Sequence, residues 1–90
     1  MSLTEKQIYN RLNKCWEQHY STYTNEAEWY GVDSPNIWIC DIPSRKISVR
    51  LTLDLSNKKI SIEEREIIHY DKSSPLNVKY GEWKMLQRYW

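Results

Sequence analysis

The chain has 90 residues, 40% of them hydrophobic, and a formal net charge of +1. This length fits one domain with a small core, and no apolar run approaches the roughly 18–20 residues that a membrane span requires. The net charge lacks the basic excess that is typical of proteins that bind nucleic-acid phosphates. Two cysteines are too few for the disulfide framework of a small secreted domain. No signal-sequence pattern opens the chain, so we expect one cytoplasmic domain over residues 1–90.

Charge and aromatic side chains are unevenly distributed. Residues 1–15 carry three bases and one acid, residues 16–44 carry five acids and no base, and residues 45–90 carry ten bases and six acids. Six of the aromatic side chains lie within residues 16–38, and all aromatics of the chain are Trp or Tyr. Both residue types combine an apolar ring with a polar group and are enriched at interfaces. Residues 16–38 are therefore a candidate contact segment.

A helix is predicted from about residue 3 to about residue 22. Two overlapping capping boxes, Ser2–Glu5 and Thr4–Gln7, open it. Side chains suited to one buried helix face then recur at spacings of three and four. They are Ile8, Leu12, Cys15, Trp16, His19 and Tyr23. A second N-cap pattern at Asn25 predicts a short helical turn over residues 26–30. A loop over residues 32–36 is predicted to follow it.

Three strands are predicted next. Residues 37–40 form a continuous apolar run, typical of a strand that is buried on both faces. Residues 47–55 alternate between apolar and polar, which predicts a half-buried strand, and Ile60 opens a third strand. A turn at Pro43–Arg45 and a two-residue hairpin turn at Asn57-Lys58 connect them.

The two-residue turn has a consequence for the third strand. It would place Glu64 opposite Leu51 and Glu66 opposite Val49, on the side of the core. Either a bulge near residues 63–64 shifts the register by one residue, or the third strand runs past the helix into solvent. We predict the bulge, which would return Ile67 to the inner face opposite Val49.

The C-terminal quarter contains a predicted loop at Asp71–Pro75 and a short fourth strand over residues 76–80. Trp83, Leu86 and Trp90 are then spaced as on one helical face, and both a helix and a strand remain open for this segment. Together these elements predict an α+β fold, with an N-terminal helix packed on a three- or four-stranded antiparallel meander and a short C-terminal helix or strand (αβββ(β)α). The Trp-rich C-terminal segment is expected to cover the second face of the sheet. The predicted core contains Ile8, Leu12, Trp16, Val49, Leu51, Leu53 and Ile62.

No constellation of residues indicates catalysis or a cofactor. Cys15, His19, Cys40 and His69 are the only cysteines and histidines, and they lack the paired spacing that is typical of zinc sites. Buried cysteines usually serve as small core residues. Only two glycines are present, and no phosphate-binding loop can be recognised. We therefore expect a protein that is not an enzyme and that requires no metal and no cofactor.

Nucleic-acid binding is the alternative function. The order of elements is similar to that of double-stranded-RNA-binding domains, which place a lysine cluster at the start of their last helix. The corresponding stretch here has only the isolated Lys79 and Lys84, so the resemblance does not extend to phosphate-binding residues. A basic hairpin face could still contact a phosphate backbone. Its candidate residues are Arg45, Lys46, Arg50, Lys58, Lys59 and Arg65.

Protein binding through an acidic aromatic patch is the predicted function. The patch residues follow the helix and precede a Pro loop, and such segments run over the surface. They are Tyr23, Glu26, Glu28, Trp29, Tyr30 and Asp33. We expect a protein partner with a basic surface, as for small inhibitors, immunity proteins and phage or mobile-element antagonists. Two points remain open: whether the chain forms a homodimer, and whether Trp29 and Tyr30 merely cover the end of the core.

Overall fold

A computed structural model describes residues 3–69 and 78–87. Helix α1 spans Glu5–Tyr20 and begins at Thr4, whose Oγ1 accepts a hydrogen bond from the Gln7 backbone N–H (3.2 Å). Gln7 Oε1 accepts one from the Thr4 backbone N–H (2.9 Å), which completes the second of the two predicted capping boxes. A 3₁₀ turn over Ser21–Tyr23 follows α1. No helix in the described part of the chain is long and apolar enough to cross a membrane.

The strands form one antiparallel sheet. The strands are β1 (Glu28–Trp29), β2 (Ile37–Ile42), β3 (Ile47–Leu53), β4 (Ile60–His69), β5 (Lys79–Tyr80) and β6 (Lys84–Gln87). The order is β1-β2-β3-β4, and both β5 and β6 pair with β4. The predicted α+β fold, with α1 on an antiparallel meander, is confirmed.

The core lies between α1 and one face of the sheet. The α1 stripe buries Leu12, Cys15 and Trp16, because residues three and four apart share a helix face. The side chains of β3 at positions 49, 51 and 53 oppose it, because alternate residues of a strand point to one face. All seven predicted core residues are buried in this layer.

The turn between β3 and β4 differs from the prediction. Asp54, not Ser56, pairs with Lys59, and the loop consists of residues 55–58. Asp54 Oδ1 accepts hydrogen bonds from the backbone N–H (2.9 Å) and the hydroxyl (2.6 Å) of Ser56, and Lys58 adopts the left-handed φ of 62°. The aspartate side chain stabilises the longer loop, and Leu55 is exposed there instead of continuing the strand.

The longer loop makes the predicted bulge unnecessary, and that prediction is wrong. β3 and β4 pair without a register shift, with Leu51 opposite Ile62 and Val49 opposite Glu64. Glu64 does lie on the helix-facing side, where its Oε2 accepts a hydrogen bond from the Tyr20 hydroxyl (2.7 Å). Ile67 is buried on the opposite face, across from Tyr80.

The predicted helical turn over residues 26–30 is also wrong. Glu28 and Trp29 form β1 and pair with Asp41 and Cys40 of β2. The free edge of β2 offers backbone partners that a single helical turn does not have, so tertiary pairing overrides the local capping pattern.

The second face of the sheet is covered from the C-terminal side, as predicted. The Tyr80 hydroxyl donates to Asp41 Oδ2 (2.7 Å), and the Trp83 ring lies 4.5 Å from the Arg50 guanidinium. Residues 84–87 form a strand, which is one of the two alternatives for this segment. The predicted loop at Asp71–Pro75, the start of the predicted fourth strand and Trp90 lie outside the described residues.

Candidate functional site

An open groove of about 520 Å³ lies between α1 and the β1–β2 end of the sheet. We call it the aromatic groove. The side chains that line it come from α1, from β1 and the loop that follows, and from the start of β2. They are Tyr9, Asn13, Trp16, Glu17, Thr24, Trp29, Tyr30, Val32, Ser34, Pro35, Ile37 and Trp38.

Four aromatic rings form a continuous wall of the groove. The Trp29 ring centroid lies 4.8 Å from that of Trp16 and 5.3 Å from that of Trp38, with interplanar angles of 61° and 80°. Tyr9 extends the wall, with its centroid 5.3 Å from that of Trp38 at 60°. Tilted pairs at these separations are the favourable edge-to-face arrangement of aromatic rings. The wall is therefore preorganised by its own ring contacts.

The buried member of the wall is held in place by hydrogen bonds. Trp16 Nε1 donates to Thr24 Oγ1 (3.0 Å), and Thr24 Oγ1 donates to the Ser21 carbonyl (2.9 Å). Trp16 also stacks on Tyr20, with centroids 5.2 Å apart. The 3₁₀ turn after α1 thus anchors the base of the groove.

The rim of the groove is exposed and apolar. Tyr9 is 56% exposed and Trp29 is 44% exposed, and Tyr30 and Val32 are exposed as well. These four make up half of the large apolar side chains that are exposed among the described residues. Contiguous apolar surface of this kind is typical of a contact site, whereas isolated exposed residues need no explanation.

The charge of the groove is negative. Glu17 is the one acidic side chain of the lining set, and that set contains no lysine and no arginine. Glu26, Glu28 and Asp33 are exposed but lie outside this lining, and residues 16–44 contain no lysine or arginine. The groove therefore presents aromatic rings beside one negative charge.

The structure divides the predicted acidic aromatic patch into two groups. Trp29 and Tyr30 line the groove. Tyr23 faces Arg45 instead, which donates from Nη1 to the Tyr23 hydroxyl (2.7 Å). Glu26 accepts hydrogen bonds from the backbone N–H (3.3 Å) and the hydroxyl of Ser44.

The two remaining patch residues are exposed and do not line the groove. Glu28 lies on β1 and Asp33 lies in the loop before β2. The predicted set is thus adjacent in sequence but is not gathered around one cavity.

The α1 side of the groove was missed by the sequence analysis. Tyr9, Asn13 and Glu17 recur at a spacing of four, next to the buried stripe of Ile8, Leu12 and Trp16. This spacing places them on one helix face at the edge of the core. Trp38 belongs to the apolar run that was predicted to be buried on both faces of the sheet, but it is half-buried and forms part of the wall.

The predicted basic hairpin face is not one surface. Arg45 and Lys46 precede β3, whereas Lys58 lies in the hairpin loop after β3 and Lys59 directly follows that loop. The length of β3 separates the two pairs by about 20 Å at the usual rise per strand residue.

Arg50 and Arg65 lie on the second face of the sheet, in contacts within the chain. Arg50 donates to both carboxylate oxygens of Glu63 (2.9 and 2.7 Å). The Arg65 guanidinium lies 3.7 Å from the Tyr80 ring centroid and 4.3 Å from that of Trp83. These arginines are thus paired with acidic and aromatic groups of the protein itself.

A buried carboxylate connects this second face to the groove. Asp41 is 2% exposed, and its Oδ2 accepts hydrogen bonds from the hydroxyls of Tyr30 (2.5 Å) and Tyr80 (2.7 Å). Burial, followed by the hydrogen bond to Asp41, raises the pKa of Tyr30. Tyr30 therefore keeps its proton and stays attached to Asp41 at the edge of the groove.

The two cysteines and two histidines are not arranged as a catalytic or metal-binding site. Cys15 and Cys40 are free and fully buried, and burial raises the pKa of Cys15 to about 11. Thiols become nucleophilic as thiolates, so this environment makes them inert. His19 and His69 are on the surface. Within residues 3–69 and 78–87 no group of three or more His, Cys, Asp or Glu side chains is placed to hold a metal ion.

No protein-family model, no curated protein and no solved structure matches this chain. Function is therefore inferred from the geometry and the charge of the aromatic groove.

Proposed function

We propose that the chain is a small protein-binding domain, that its contact surface is the aromatic groove, and that its partner inserts a basic segment there. The observation that carries this proposal is the wall of tilted Trp and Tyr rings, in which Tyr9 and Trp29 stay exposed although the wall adjoins the core. A chain of 90 residues has few large apolar side chains. Exposing several of them at one place costs stability unless another molecule covers them.

Residue type and geometry support a protein partner. Trp and Tyr are the residues most often found as binding hot spots, because they bury a large area with little loss of side-chain freedom. The ring contacts already hold Trp29 and Trp38 in position. Binding would therefore require little additional ordering of the groove, which favours affinity.

Charge supports a basic segment rather than an acidic one. Glu17 is the one charged side chain in the lining of the groove, and its charge is negative. Opposite charge on the partner speeds association and orients it, whereas an acidic partner would be repelled. We propose that such contact takes place in the cytoplasm. Its biological use would be inhibition of the bound partner, an immunity function or antagonism by a phage or mobile element.

A selection from phage-displayed twelve-residue peptides on the folded domain tests this proposal. We expect the enriched peptides to carry more Arg and Lys than Asp and Glu, together with apolar residues. Val32→Arg places a cation on the exposed rim of the groove and should abolish their binding. Leu55→Arg is the matched control, because it replaces an exposed aliphatic residue in the hairpin loop, outside the groove.

Three results would contradict the proposal. Peptides that bind Val32→Arg as well as the unchanged domain would place the contact surface elsewhere. Enriched peptides that are acidic would exclude charge complementarity at the groove. A dimer in sedimentation experiments that Val32→Arg converts to monomers would make a second copy of this chain the occupant of the groove.

A further inference from the structure

The molecule has an aromatic cluster on each side of its sheet, and the two clusters differ in one respect. On the second face, Tyr80 and Trp83 are covered by arginines of the chain itself. Arg65 lies over both rings, and Arg50 lies 4.5 Å from the Trp83 ring centroid. In the aromatic groove, the lining set contains no arginine and no lysine.

We propose that the aromatic groove binds an arginine side chain of the partner, by stacking of the guanidinium on the exposed rings beside Glu17. This inference rests on the proposed function and specifies the group that the groove recognises. The internal arginines on the second face are the physical precedent, since the same fold already stabilises guanidinium–Trp and guanidinium–Tyr contacts.

The geometry of the wall suits a planar cation. An edge-to-face pair uses the face of only one of its two rings, so the three ring contacts of the wall do not occupy every ring face. Trp29 is tilted by 61° to Trp16 and by 80° to Trp38, and it is the most exposed of the three Trp rings of the wall. A cation within about 6 Å of a ring centroid is attracted by the negative ring face, and Trp provides the strongest attraction.

Glu17 provides a carboxylate that can pair with the bound guanidinium. A guanidinium is planar, carries five N–H donors and remains charged at any physiological pH, so it can stack and pair with a carboxylate at the same time. Arg50 shows this combination on the second face, where it stacks on Trp83 and donates to both oxygens of Glu63. Glu17 is exposed at the groove and is placed to serve in the role that Glu63 has there.

The test compares two blocked peptides, acetyl-Gly-Arg-Gly-amide and acetyl-Gly-citrulline-Gly-amide. Citrulline has the shape of arginine but is neutral, so the pair isolates the charge. Binding is followed by NMR through the indole N–H signals of Trp29 and Trp38, and dissociation constants are taken from the titrations. We expect the arginine peptide to bind at least about tenfold more tightly than the citrulline peptide, in line with the strength of desolvated cation–π contacts.

Two variants check the residues that are invoked. Glu17→Gln should reduce the preference for arginine several-fold, whereas Glu66→Gln, an exposed acid outside the groove, should leave it unchanged. Trp29→Leu should bring the arginine peptide to the level of the citrulline peptide. If that variant fails to fold, the comparison of Glu17→Gln with Glu66→Gln still decides the matter, because both positions are at the surface.

The outcomes separate this inference from the proposed function. If both peptides shift the Trp29 signal with equal affinity, the groove binds peptides but not through charge. The inference is then overturned, while the groove remains the contact surface of the proposed function, and the phage selection decides whether a basic segment is preferred. If the arginine peptide shifts signals only outside the groove, or if neither peptide shifts any signal, the inference is overturned, and the phage selection decides on the proposed function alone.

Discussion

Glu64 lies on the helix-facing side of the sheet, where an alternating pattern places apolar side chains. Its Oε2 accepts the Tyr20 hydroxyl at 2.7 Å, and it is only half-buried. A charged group is tolerated at such a position because it is hydrogen-bonded and keeps some contact with water. From the sequence alone this carboxylate indicates a bulge, because nothing near it in the chain reveals a partner that lies 44 residues away.

The buried thiols make a prediction about alkaline pH. Burial raises the pKa of Cys15 from its ordinary 9.0 to about 11, and burial together with the charge of Asp41 raises that of Cys40 to about 12. The folded state therefore holds these protons more tightly than the unfolded chain does. The resulting stability is fully present below pH 9 and is lost as the pH rises through the folded pKa values.

Urea unfolding at pH 8, 9 and 10 measures this effect. We expect the free energy of unfolding to fall above pH 9, by at most about 1.4 kcal/mol per pH unit for each thiol. Cys15→Ala should lower the stability at pH 8 and make the decline above pH 9 shallower. An equal slope in Cys15→Ala and the unchanged protein would show that this thiol does not contribute.

The hairpin of β3 and β4 shows which features of a structural element can be predicted from the sequence. Alternation over residues 47–55 identified the strand, which spans Ile47–Leu53, and its buried face, because the side-chain period of a strand is two. The register was missed because it depends on the loop, and Asp54 forms a loop two residues longer than Asn57-Lys58 alone suggested. An even shift leaves each side chain on its face, so the core was predicted correctly in spite of the wrong register.

Substitution of two leucines tests this register. Leu51→Ala should cost about 2–5 kcal/mol, because Leu51 is fully buried opposite Ile62. Leu55→Ala, the control, should cost less than about 0.5 kcal/mol, because Leu55 is 49% exposed in the loop. Urea midpoints of both variants provide the measurement. Comparable losses at the two positions would mean that Leu55 belongs to the strand and that the shorter turn is present.

β1 is the element for which local sequence was most misleading. Asn25 and the acids after it resemble a helix start, yet Glu28 and Trp29 pair with β2. The pairing moves Trp29 against Trp16 and Trp38 and so builds the wall of the groove. Part of the site could be predicted from composition, namely Trp29 and Tyr30. The α1 contribution of Tyr9 and Glu17 depends on how the helix lies on the sheet.

In the whole molecule, the sheet separates two aromatic surfaces that differ in their charged neighbours. One side pairs Tyr80 and Trp83 with arginines of the same chain. The other side has an exposed aromatic groove with Glu17 and without a cation in its lining. A net charge of +1 conceals this arrangement, because residues 16–44 hold five acids and no lysine or arginine, whereas all thirteen lysines and arginines lie on either side. The aromatic groove is the surface at which we propose that a basic protein segment binds.

Mapping of one selected peptide on the domain by NMR tests this claim most directly. The peptide with the highest affinity from the phage selection is titrated into the labelled domain, and the backbone and indole shifts are assigned. We predict that the largest changes cluster at Glu17, Trp29, Val32 and Trp38, while residues 54–59 of the hairpin loop remain unaffected. The proposal would be contradicted by shift changes that cluster at Arg45 and Lys46, or in that hairpin loop, while the signals of the groove stay unchanged.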